Sequence, residues 1–182
     1  YLAGGKSSAA LNQYLFGSLS TVSASDLVWL AVVALLVIVV LAIFGREGVD
    51  YATRWVAPDV GTLSEHAFRM FLDYDGALSR VTGDSVPATS SLPDSLGAYA
   101  VDRIGGPLFV LLFNRSPGTR SVDLALAGIG AQSYSAWRLA AGGYSQVANA
   151  APIAGASLAL ADLPGFSATL LVINRGASVN AI

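Results

Sequence analysis

Acid, base and nucleophile chemistry has few carriers in this sequence. The chain holds no cysteine, a single histidine (His66) and two glutamates, Glu47 and Glu65. A Ser-His-Asp triad would have to run through His66, and no G-x-S-x-G turn is present to expose a serine. The missing cysteines remove disulfides, thiolate zinc sites and thiol nucleophiles. His66 sits in the segment SEHAF, which reads as a short surface turn with a solvated or hydrogen-bonded imidazole. Asp73 and Asp75, in DYDG, could supply half of a calcium loop, because hard cations prefer carboxylate oxygens. The other ligands of the D-x-D-x-D-G pattern are absent, so the expectation is a turn bent at Asp75-Gly76, without metal or other cofactor. Aromatic rings are better represented. Tyr99, Tyr134, Trp137 and Tyr144 could form a surface for stacking on sugar rings, or could be core.

The elements that must position these groups fall into two textures. From Leu27 to Phe44 run 18 consecutive apolar residues, LVWLAVVALLVIVVLAIF, without charge, proline or glycine. As a helix rising about 1.5 Å per residue this spans about 27 Å, near the roughly 30 Å of a bilayer core. A membrane-spanning helix is the expectation; a buried core helix or strand, or a signal-peptide core, passes the same test. Ser23, Ser25 and Asp26 precede the run as candidate caps, and Gly45 and Arg46 close it. Before it, AGGKSSAA and the short amphipathic LNQYLFGSLS could be an interfacial segment or the end of an earlier helix.

After Glu47 the pattern changes to short apolar runs separated by Gly, Pro, Asp, Asn and Ser about every ten residues, which predicts a β-sandwich. Strands are expected at 68–72, 97–103, 108–113, 121–127, 133–139, 157–160 and 167–173. In SVDLALA, Val122, Leu124 and Leu126 share one face. LFVLLF is apolar throughout, so it must be central and covered on both faces. PLFVLLFNRSPG and ATLLVINRGAS look alike, each ending an inner strand in Asn-Arg and a turn. The fold class expected is mainly β, a sandwich domain preceded by one long hydrophobic helix.

Composition agrees with this division. Of 182 residues, 54% are hydrophobic and 12% charged, with a mean hydropathy of +0.60. Net charge is −2, and the ten basic residues are scattered, so no basic stripe exists for a nucleic-acid backbone. Lys6 alone precedes the helix, while Arg46, Arg54 and Arg69 follow it. The positive-inside tendency would therefore place the β-domain in the cytoplasm. Tyr1 rather than Met opens the chain, which fits a fragment or a processed protein.

Two stretches resemble known families. YLFGSLSTVSASDLVWLAVVALLVIVVLAIFGRE resembles the permease subunit of zinc and manganese ABC transporters, with YLFG and a serine-aspartate helix start before a transmembrane helix ending in FGRE. From about Leu41, the segments LAIFGREGVDYATRW, AFRMFLDYDG, GDSV, LGAYAVDR, LFVLLFNR and SATLLVINR resemble glycoside hydrolase family 44, the endoglucanases and xyloglucanases. The first of these corresponds to the end of the family's (β/α)8 barrel and the rest to its C-terminal sandwich. FGRE is common to both patterns, so a composite gene or a join at this tetrapeptide would explain the change in composition.

The second resemblance implies a polysaccharide-degrading parent. Glycoside hydrolysis needs two carboxyl groups flanking the bond, and in the family these lie on barrel strands upstream of anything matched here. No catalytic residue is therefore assigned, and the chain is expected to be inactive alone. Glu47 reads as an ion-pair partner for Arg46 or Arg54. Trp55 is the candidate substrate-binding residue, because the resemblance places ATRW at the mouth of the last barrel strand, where barrel enzymes bind substrate; packing is its other reading. Residues 1–47 form the permease-like segment and 48–182 the sandwich. The expected partners are β-glucan polysaccharide or a missing catalytic barrel, and membrane lipid through residues 27–44. The glycosidase resemblance implies an extracellular β-domain, opposite to the charge rule. The alternatives are a membrane-anchored carbohydrate-binding module and a piece of a metal-ion transporter permease.

Overall fold

The computed structural model describes residues 24–49, 52 and 57–176. The apolar run forms helix α1, Ala24–Arg46. Asp26 lies in its first turn and Arg46 in its last, each facing the helix-dipole end it complements. Ser25 and Asp26 are thus inside the helix instead of preceding it, and Gly45 does not end it. The stop is at Gly48, whose φ of 68° lets Val49 N–H reach Phe44 O at 2.9 Å and Gly48 N–H reach Gly45 O at 3.4 Å. That is a Schellman closure, which favours a residue without Cβ.

Helix α2 spans Leu63–Leu72 and corrects the strand expected at 68–72. The local signal was Thr62-x-x-Glu65: the Thr62 hydroxyl accepts from Glu65 N–H at 3.2 Å, and Ala67 and Met70, three residues apart, make its buried stripe. His66 consequently lies on a helix and not on a surface turn.

Eight strands follow: β1 Asp84–Val86, β2 Leu96–Asp102, β3 Leu108–Asn114, β4 Arg120–Ala125, β5 Ala131–Ala140, β6 Gly143–Pro152, β7 Ser157–Leu163 and β8 Ser167–Arg175. Six of the seven expected strands are present with small differences at their ends. The sequence pattern missed β1, which has three residues, and β6, GYSQVANAAP, whose sparse apolar residues gave no alternation. All pairings are antiparallel. One sheet has the order β1-β2-β3-β8-β5-β6 and the other consists of β4 and β7.

The two look-alike segments become the adjacent central strands β3 and β8, in register from Leu108 opposite Ile173 to Asn114 opposite Ser167. Every residue of β3 is buried, as expected of a strand covered on both faces. Phe109, Leu111 and Phe113 join Leu170 and Val172 beneath the helices, against Ala34, Leu35, Ile38 and Met70. The alternate residues Leu108, Val110 and Leu112 meet Leu126, Leu158, Leu160 and Leu163 of the small sheet and its flanks. Period-two alternation thus sends one strand into two cores, and burial of about ten large apolar side chains per core supplies the driving force at roughly 25 cal/mol per Å².

Candidate functional site

The aromatic residues singled out from the sequence do not form one surface. Tyr134 packs in the core shared with the small sheet, whereas Tyr99, Trp137 and Tyr144 lie on the helix-facing side. Trp137 is buried and meets the Tyr74 ring edge-on at 4.8 Å. Tyr74 also touches Phe109 at 6.0 Å and accepts a hydrogen bond from the Tyr144 hydroxyl on its carbonyl at 2.8 Å. His66 stacks on Tyr144 with ring centres 5.7 Å apart, and its Nδ1 lies 3.3 Å from Glu65 Oε2. These rings form a knot that fastens α2 and the turn after it to strands β3, β5 and β6. Burial raises the phenol pKa of Tyr144, as it does that of Tyr74. Tyr74 is the member that sequence reasoning overlooked; its position between two aspartates pointed to a turn and gave no sign of an inward ring.

DYDG is a turn in which both carboxylates hold backbone. Asp73 Oδ1 accepts from Leu78 N–H at 2.7 Å, and Asp75 Oδ1 accepts from Ala77 and Ser79 N–H at 2.9 and 3.3 Å. Arg69 approaches Asp73 at 3.6 Å and Glu65 at 3.8 Å. Among the described residues no three His, Asp or Glu side chains group as a metal site. For Asp75, slight burial pushes the carboxyl pKa up, but hydrogen bonds from Ser79 and the turn amides outweigh it and leave the pKa below its ordinary value. A depressed folded-state pKa gives stability that is present above the unfolded carboxyl pKa and is lost as pH falls through the lower folded value. Asp75→Asn should therefore flatten the acid limb of a stability-pH curve below about pH 4, measured by urea denaturation at stepped pH, with a small amplitude because the group faces solvent.

Both glutamates are engaged in ion pairs. Glu47 pairs with Arg46 at 2.7 Å, the partner the sequence suggested, and Glu65 meets His66 and Arg69. An open groove of about 330 Å³ lies between the end of α1 and strands β1 and β2, lined by Arg46, Ser85, Pro87 and Tyr99 among others. The Arg46 guanidinium sits over the Tyr99 ring at 5.8 Å, so the face that could stack on a sugar carries a cation instead. Trp55 lies outside the described residues, as do YLFG and the rest of the segment before Ala24.

Comparison with known proteins gives two results. Residues 2–56 match the ABC 3 transport family. Most of the chain is similar to solved glycoside hydrolases. A bifunctional glucanase-xylanase from a metagenome library is 36% identical in its crystal structure, with a TM-score of 0.71, over 79% of this chain and 28% of that one. A family 44 xyloglucanase from Paenibacillus polymyxa, solved with xyloglucan, covers the same share of this chain at 23% identity and a TM-score of 0.68; at that identity the likeness is one of fold. A β-mannanase/endoglucanase A from Caldicellulosiruptor saccharolyticus is 36% identical over 81 residues, 42% of this chain and 6% of that protein. The chain thus spans under a third of the length of these solved relatives and far less of the curated one.

Proposed function

We propose that residues 48–182 are the non-catalytic C-terminal sandwich of a β-glucan-degrading glycoside hydrolase, whose role is to buttress a catalytic barrel, and that residues 1–47 add a membrane-anchoring helix. The observation that carries this reading is the 36% identity to a glucanase-xylanase over most of the sandwich, combined with glutamates that are both committed to ion pairs. A retaining site would need two carboxyl groups about 5 to 5.5 Å apart and free to reach a glycosidic bond. On the same reading the β-domain is extracellular, where polysaccharide is found, and Trp55 is assigned to sugar contact at the barrel mouth.

The test is complementation. The full chain in mild detergent should release no reducing sugar from carboxymethylcellulose or xyloglucan. Co-expression with the barrel of the metagenome glucanase-xylanase, deprived of its own sandwich, should recover soluble, active barrel. Hydrolysis by this chain alone would overturn the non-catalytic assignment. Failure to recover the barrel, together with retention of the chain on insoluble cellulose, would move the reading to a carbohydrate-binding module.

A further inference from the structure

The run from Leu27 to Phe44 contains one polar side-chain atom, the indole nitrogen of Trp29, and α1 has already buried one of its faces. Ala31, Ala34, Leu35 and Ile38 are at most 6% exposed, and the last three pack in the core with Met70, Phe109 and Leu170. On the opposite side Trp29, Val33, Leu36 and Val40, spaced four, three and four apart, are 68%, 50%, 58% and 42% exposed. A helix that only covers a sheet needs an apolar stripe on one face and a polar one on the other. This helix has apolar stripes on both.

We propose that α1 remains on the sheet and that its outward stripe lies in the plane of a lipid bilayer, so that the protein is monotopic instead of spanning. This rests on the membrane-anchoring part of the reading above and replaces its geometry. Crossing the bilayer would take α1 away from the sheet and strip the cover from Phe109, Phe113, Leu139 and Leu170, all buried. In-plane seating satisfies both faces together: the sheet keeps its lid, and the stripe enters the headgroup-acyl boundary, where such helices sink about 5 to 10 Å. Trp29, the most exposed residue of the stripe, has the amphipathic ring favoured at that depth. A second copy of the chain fits less well, because a stripe of four side chains is far narrower than the roughly 20 to 30 residues a side of a standard protein interface. Arg46, at the C-terminal end of α1, is paired with Glu47 at 2.7 Å, so the attraction expected of the stripe is apolar and does not require anionic lipid.

The chain has no cysteine, which makes single nitroxide labels simple to place. Val33→Cys, Leu36→Cys and Val40→Cys, labelled in the full chain, should float with phosphatidylcholine vesicles equally well with or without phosphatidylserine. Collisional depth measurement should put all three labels at one shallow level, and Val147→Cys, on exposed β6, in water. A spanning helix would instead separate positions 33 and 40 by about 10 Å along the bilayer normal, with Leu36 deepest. That result would overturn in-plane seating and leave anchoring intact. No flotation would overturn both.

Discussion

Replacing Asn114 with leucine should lower the unfolding free energy by about 2 to 4 kcal/mol, read as a fall in urea midpoint at unchanged slope. Asn114 is fully buried at the end of the strand in which every other residue is hydrocarbon. Its amide group donates to the carbonyls of Gly118, Leu163 and Pro164 at 2.8, 3.0 and 2.9 Å. Its Oδ1 accepts from Ser116 N–H at 3.1 Å and from the Ser116 hydroxyl at 2.6 Å. One side chain thus joins the connection between β3 and β4 to the connection between β7 and β8, and so locks the small sheet onto the large one. Leucine has similar volume but takes the partner from Leu163 O and from Ser116 N–H, while Pro164 O keeps Ser167 Oγ at 2.6 Å and Gly118 O keeps Ser116 Oγ at 3.1 Å; each buried group left unsatisfied costs about 1 to 3 kcal/mol. The two connections meet closely here: a Cβ on Gly165 would lie 2.0 Å from Pro117 O. Asn174 supplies the control. It ends β8 in the same Asn-Arg pattern, yet it is exposed and its amide reaches only Ser133 Oγ at 3.4 Å, so Asn174→Leu should change stability by less than about 0.5 kcal/mol.

That contrast marks how far the sequence could be read. Continuous apolarity announced β3 and β8 as doubly covered strands, because a residue type states its preference for burial directly. Their identical Asn-Arg endings looked like one signal and are two. Asn114 is an internal clamp, whereas the second pair works through Arg175, which bonds Asp102 at 2.7 Å and the carbonyls of Arg103 and Gly106 at 2.8 Å each, and so ties the β2–β3 hairpin to the end of β8. Antiparallel pairing puts the two endings at opposite ends of the sheet, a fact of long-range register that no local window contains. The strand expected at 68–72 failed for the reverse reason: the short apolar run FRMFL fits either element, and the helix start that decides it, Thr62 with Glu65 three residues on, lies upstream of the run. Of the candidate site, the Arg46 partner of Glu47 was legible from their adjacency. The inward turn of Tyr74, and with it the burial of Trp137, depended on where α2 came to rest. Tyr134 falls on the other face because it is three residues from Trp137 on a strand that keeps unbroken register with β8 from Ser133 to Leu139, so the period of two that the sequence itself contains sends the two rings to opposite faces.

The helix itself offers the sharper test, since two neighbouring positions should respond in opposite ways to the same charge. Ile38→Glu should destroy the native fold or cost at least about 3 kcal/mol, because Ile38 is fully buried in the core with Phe109 and Met70, and an unpaired carboxylate there must either desolvate or take up a proton. Leu36→Glu, two residues earlier and 58% exposed, should leave the denaturation midpoint nearly unchanged and make the chain soluble without detergent, since it places a hydrated charge in the middle of the outward stripe. The same substitution should reduce vesicle flotation by tenfold or more, because a glutamate in the acyl boundary forfeits the gain of its apolar neighbours. A helix that crossed the membrane independently of the sheet would respond differently. Residues 36 and 38 both sit near the centre of the apolar run, so either charge would impair insertion to a similar degree, at about 2.5 to 3.5 kcal/mol on an insertion scale, and neither would disturb the β-domain's own unfolding. Circular dichroism of the two variants, followed through urea with and without vesicles, therefore separates a helix that belongs to the sheet from one merely joined to it in sequence.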